Sequence, residues 1–322
     1  MIKLRAAVLF VLPLAVSAAD PSLLKLMMPD AKAIAGLQVN QAKNSLFGEY
    51  VLSHMQLDDA GFQKFAAQTG FDPRTDVSEI VMASNSAPNT ANRSWLIAAH
   101  GSFNIAKITS AAQTNGATLS SFQGVTILTH LEARNPPVQN GIAFLDSSTA
   151  VMGDLDSVKA AISRQSGSVP SGSIFDQAQQ SSAKYDFWFA SQIPLSQFSS
   201  AIPNANGNNA VNTNILAGIS QASGGISFGD TVTITTQAVE RSSQDAQALA
   251  DVVKFFASMV QMNSQQNPQA GQMATLLNNL QASASGDITT ISLAVPEQQL
   301  EQMLDSAHQS HQASRRPAPR IN

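Results

Sequence analysis

Cysteine is absent from the 322-residue chain, and charge is scarce, with Asp, Glu, Lys and Arg together at 12 %. Without thiols there is no disulfide framework, no thiolate nucleophile and no zinc–thiolate site. An export signal ending in a lipid-modified cysteine is excluded for the same reason. The body of the chain has no basic patch, so nucleic-acid binding lacks an electrostatic footing. No Gly-x-Ser-x-Gly elbow and no glycine-rich phosphate loop occur, which argues against a standard α/β-hydrolase and a phosphate cradle. Beyond the N-terminus no apolar run approaches the length of a membrane-spanning helix. What remains is a chain with 43 % hydrophobic residues, enough for a folded interior, under a surface of Ser, Gln, Asn and Thr.

The N-terminus reads MIKLRAAVLFVLPLAVSAAD. Lys3 and Arg5 form a positive region, Ala6 to Val16 an apolar stretch, and Ser17-Ala18-Ala19 the small residues a signal peptidase accepts. The expectation is a signal peptide over residues 1–19, cleaved near Ala18 or Ala19, in a periplasmic or secreted protein; an uncleaved anchor is the alternative. Loss of Lys3 and Arg5 takes the formal charge from −4 to about −6.

Hydrophobic periodicity organises the rest. Ala33, Ala35, Leu37 and Val39 fall on one strand face, and helices are expected over 45–54 and 58–68. Strands follow at 79–84 and 95–100, a helix at 105–114, strands at 124–130 and 141–145, then a strand and helix within TAVMGDLDSVKAAISRQ, where Asp154 or Asp156 can cap. The Ser/Gly/Pro-rich 166–173 reads as a linker between an N-terminal half, 20–165, and a C-terminal half, 174–307. After it the order restarts: AKYDFWFASQ can be laid on AKAIAGLQVN. Strands joined at Gly229-Asp230 come next, then a helix capped by Ser243, a helix begun by Pro268, a strand in GDITTISLAVP and a last helix behind Pro296. Residues 204–214 read as a surface loop and 308–322 as a disordered tail. The order of elements predicts an α+β fold of two divergent repeated halves, each a mostly antiparallel sheet with helices on one face.

Several stretches carry chemistry-bearing residues. FDPRTD places Asp72 and Asp76 around Arg74, an acid–arginine–acid cluster that is a candidate binding site. Its flanks favour a turn: Gly70 can close a helix, Phe71 can fold back on Phe65 or Ala66, Pro73 stops continuation and Asp76 can satisfy free N–H groups. Ser22-Leu-Leu-Lys25 matches the Ser-x-x-Lys of serine acyl-transfer enzymes, but the companion Ser-Asp-Asn and Lys-Thr-Gly are missing. His54, His100 and His130 fall at element ends, and His308 with His311 form a His-x-x-His that could hold a metal only weakly. VVKFFASMVQM, 252–262, reads as a core helix, or else as an apolar surface for a lipid or partner.

The stretches MMPDAKAIAGLQVNQAKNSLFG, TGFDPRTDVSEIVMAS, GSFNIAKI, FQGVTIL and GIAFLDSSTAVMGDLDSVKAAI give residues 27–165 a resemblance to a group of uncharacterised exported bacterial proteins common in acidobacteria and related soil bacteria. The resemblance implies an exported α+β protein and carries over no catalytic residues. Together these readings describe an exported protein without a cofactor or catalytic set, a binding or envelope-associated module for an unknown protein or apolar ligand. The alternative is an envelope hydrolase whose site is assembled from residues distant in sequence.

Overall fold

The computed structural model describes residues 18–53, 60–87, 90, 93–132, 138–194, 218–263 and 268–302. Residues 1–17 of the expected export signal, the expected 204–214 loop, His54 and the 308–322 segment with His308 and His311 lie outside the described residues.

In chain order the first part contains α1 (Pro21–Leu24), β1 (Ala33–Gln38), α2 (Val39–Ala42), α3 (Leu46–Ser53), α4 (Ala60–Thr69), α5 (Pro73–Asp76), β2 (Val77–Ser84) and β3 (Trp95–Gly101). Then come α6 (Ile105–Thr114), β4 (Thr118–Phe122), β5 (Val125–Glu132), β6 (Val138–Phe144), β7 (Thr149–Asp154), α7 (Leu155–Ser163) and α8 (Ser173–Ser182). The last part holds β8 (Phe187–Ser191), β9 (Gln221–Ser227), β10 (Thr231–Val239), two helices at Ser243–Asn263 and Pro268–Leu277, β11 (Leu280–Ser285) and β12 (Ile288–Pro296).

Among the described residues the strands join one 12-stranded sheet in the order β11-β12-β10-β9-β8-β1-β2-β3-β7-β6-β5-β4. Every neighbouring pair is antiparallel. The fold is therefore α+β, but the expectation of a separate sheet in each half is corrected. The two segments that the sequence lays on one another are neighbouring strands: Gly36 of β1 faces Trp188 of β8, and Ala35 faces Phe189. The 166–173 connector runs between α7 and α8, which share one core through Val158, Ala161, Phe175 and Ala178.

Helices also lie on both faces, not one. Successive residues of a strand point to opposite faces, and the central strands are apolar on both. Val81, Ala98, Ala143 and Val151 enter a core with Leu23, Leu26, Val158 and Phe175. Their immediate neighbours Ile80, Ala99, Phe144 and Ala150 enter a second core with Val39, Phe65, Phe103 and Ile108. A face that is apolar in this way has to be covered.

Other differences have local causes. Val39 opens α2 and does not continue the strand face of β1. The long helix is capped by Ser242, whose Oγ accepts from Asp245 N at 3.1 Å, one residue ahead of Ser243. The strands missed by periodicity, β4 (TLSSF) and β11 (LQASAS), are the two sheet edges. Edge strands stay polar to avoid pairing with other chains, so they lack the apolar alternation that reveals a strand.

Candidate functional site

Asp72, Arg74 and Asp76 form a turn. Gly70 closes α4 with φ of 72°, and its N–H donates to Ala66 O at 2.7 Å. Phe71 packs edge-on against Phe65 with ring centroids 6.4 Å apart, as its position predicts. Asp72 caps α5 by accepting from Arg74 N at 2.9 Å, and its carboxylate also takes Arg74 Nη2 at 2.7 Å. Asp76 Oδ2 accepts from Asp72 N at 2.9 Å. The Arg74 guanidinium holds the Asp72 carboxyl below its ordinary value, against slight desolvation. Both carboxylates are thus committed to backbone N–H groups, and the cluster is helix-to-strand punctuation.

The fold brings together a cluster that the sequence scatters. His100, on β3, meets Ser22 and Asp20 at the start of α1: Nε2 lies 2.8 Å from Ser22 Oγ and 3.1 Å from Asp20 Oδ2. Asp20 caps α1 through Oδ1, which accepts from Ser22 N at 2.7 Å. Partial desolvation works against the Asp20 charge, yet the Ser22 hydrogen bonds and the charge of His100 hold it below the ordinary carboxylate value. Lys25, Asp146 and Thr149 line the same cleft of about 410 Å³. The Ser-x-x-Lys thus reaches a polar pocket with a histidine in it.

The geometry anchors this serine and does not activate it. A general base needs a lone pair on the nitrogen facing the hydroxyl. Here a carboxylate, which only accepts, faces that same Nε2, so an N–H at that nitrogen is shared between Asp20 and Ser22. An orienting carboxylate belongs on the far nitrogen. Nδ1 instead faces the Ser148 carbonyl at 3.3 Å and the Thr149 hydroxyl at 3.4 Å. The cluster fastens the N-terminal segment to the sheet.

A third place is apolar. One row of cross-strand neighbours runs Phe189–Ala35–Met82–Ile97–Met152–Ile142 across β8, β1, β2, β3, β7 and β6. The adjacent row of the same face, from Leu37 and Ile80 to Ala99, Ala150 and Phe144, lies in the second core. The first row stays open: Met82 is 45 % exposed, and Met152 and Ile142 are each 37 % exposed. Its β8–β3 end forms a groove of about 460 Å³ with Trp95 in its wall and Arg93 at its margin. A volume in the 300–1,000 Å³ range and an apolar lining are what small-molecule sites offer. Sequence reasoning missed the groove. The available signal was apolar residues on both parities of the central strands, more than the helices could cover.

The long helix adds exposed apolar surface. Phe255, Phe256, Met259 and Met262 are 71, 48, 37 and 79 % exposed, while Ala246, Leu249 and Ala250 are buried. This corrects the core reading of 252–262. The helix is apolar on two sides, and the sheet takes only one of them.

Among the described residues no group of three or more His, Asp or Glu side chains could hold a metal ion. No helix among them is long and apolar enough to cross a membrane. Neither a family model nor a curated protein matches the chain. Among solved structures, crystal form I of TP0453 is similar at 12 % identity and a TM-score of 0.46, over 90 % of this chain and 98 % of that one.

Proposed function

We propose that this is an exported, non-enzymatic binding protein of the periplasm or cell exterior, and that the open groove between β8 and β3 takes a small apolar ligand. Its architecture is read as two divergent halves, 20–165 and 174–307, fused along β1 and β8. The observation that carries the reading is the uncovered row Phe189–Ala35–Met82–Ile97 beside a row of the same face that is buried. Open apolar surface of this kind is what a soluble chain keeps for a partner or ligand. Arg93 at the margin suits a ligand with an anionic end, such as a fatty acid. Against the envelope-hydrolase alternative stands the Asp20 carboxylate, which shares His100 Nε2 with Ser22 and does not lie on the far nitrogen, where it would orient a base.

The chain has two tryptophans, one in the groove wall and one, Trp188, fully buried. A dansyl-labelled C11 fatty acid bound in the groove will therefore lie beside Trp95 and gain emission by energy transfer from the tryptophans. Met82→Glu, at a half-exposed position, is expected to weaken this binding by roughly tenfold or more with the thermal midpoint unchanged. No transfer in the parent protein, or equal binding by Met82→Glu, refutes the reading.

A further inference from the structure

Glu79 is a buried carboxylate, 7 % exposed, on the core face of β2. Its Oε1 accepts from the backbone N of Asp20 at 3.1 Å, a partner 59 residues away. We infer that Glu79 is the seat of a new N-terminus: the structure assigns it the α-ammonium of a chain cut between Ala19 and Asp20, so that processing completes the fold. The inference rests on the export half of the reading above and is independent of the groove.

The cut is a hydrolysis by a signal-peptidase-type endopeptidase. Water adds across the Ala19–Asp20 peptide bond, its oxygen staying on Ala19, which ends as a carboxylate, and both of its protons going to Asp20 N. Ser17-Ala18-Ala19 supplies the small residues such an enzyme accepts. Before the cut, Asp20 N is an amide with one proton and no charge. After it, the same atom is an ammonium with three donors, protonated at neutral pH by its ordinary value of about 8. A buried carboxylate facing a neutral donor keeps an uncompensated charge; facing an ammonium it gains an ion pair. The position is thus worth more to the processed chain than to its precursor.

The geometry holds the nitrogen on Glu79 from several sides. Asp20 Oδ1 caps α1, Asp20 Oδ2 faces His100, and Pro21 stiffens the first turn. Behind them Leu23, Leu24, Leu26 and Met27 are at most 1 % exposed, and Ala19 ahead of the cut is 3 % exposed, so the chain on both sides of the cut touches the main core. Gln38 of β1 faces Glu79 as well. Burial pushes the Glu79 carboxyl up, helped by the Asp20 carboxylate, while the Asp20 N–H, the charge of His100 and Gln38 pull it back.

The test uses two chains of defined start: one beginning at Asp20 with a free amine, one acetylated ahead of Ser17-Ala18-Ala19. Each is made with Glu79 and with Glu79→Gln, and unfolded in urea. In the Asp20 chain Glu79→Gln is expected to raise the unfolding constant by roughly tenfold or more. In the extended chain it is expected to change nothing or to stabilise. An equal effect in both chains overturns the inference. Acylation of the α-amine in the Asp20 chain with native Glu79 is expected to run at least about tenfold slower than in an unfolded peptide. An equal rate overturns the inference even if the variant fails to fold. Mass spectrometry of the exported protein should find Asp20 first, and any other start overturns it.

Discussion

Gly36 and Trp188 face each other across the β1–β8 seam, which among the described residues is the one strand pairing that joins the earlier strands to the later ones. A Cβ built on Gly36 would stand 2.4 Å from Trp188 Cζ2, 2.5 Å from Cε2 and 2.7 Å from Nε1. Non-bonded carbons rest at about 3.5–4.0 Å, so Gly36→Ala obliges the indole to retreat by about 1 Å. The ring has no room to do so, since Trp188 is 0 % exposed and the largest side chain in the main core. Overpacking of this kind costs about 1–3 kcal/mol. Alanine returns part of that, about 0.4–1 kcal/mol, by restricting the unfolded chain. The net expectation is a loss of about 1–2 kcal/mol, read as a lower urea midpoint at constant m by tryptophan emission. Repeating the substitution in a Trp188→Leu background separates the clash from a general intolerance of β1. There the added methyl meets a smaller, more flexible side chain and costs less. If Gly36→Ala unfolds within about 0.5 kcal/mol of its parent, or costs the same in both backgrounds, the packing argument is wrong.

Glu240 is 3 % exposed, and neither of its carboxylate oxygens has a hydrogen-bond partner among the described residues. Burial, then the neighbouring Asp245, pushes its carboxyl above the ordinary value of 4.5. The native state then holds the proton more tightly than the unfolded chain, so stability falls as pH climbs above that value. Glu240→Gln is expected to raise the thermal midpoint at pH 7 and not at pH 4; no gain at pH 7 refutes it. Asp72→Ala should cost about 1 kcal/mol through the lost cap on Arg74 N and leave fatty-acid binding unchanged. Lost binding at unchanged stability would make the turn a site.

What could be read ahead of the structure was local. The Gly70 closure, the Asp72 turn and the Asp154 cap on Ser157 N, at 2.9 Å, each depend on residues within a few positions of one another. The hairpin at Gly229-Asp230 and the helices at Ile105–Thr114 and Pro268–Leu277 belong with them. The candidate sites were a different matter. The chain's most conspicuous charged cluster folds into a capped turn, and the serine of Ser-x-x-Lys found its partner His100 78 residues away. The apolar groove draws on four strands, each of which alone looks like ordinary core.

The sequence by itself determined the Asp154 cap, the turns and most strand positions, because those are settled by backbone preferences and hydrogen bonds over a few residues. Tertiary structure alone decided that β1 lies beside β8, that both faces of the sheet need helices, and that one apolar row is left uncovered. Those outcomes depend on which buried surfaces find each other across long separations. The chain writes down the apolar face of each strand but not the neighbour that will cover it.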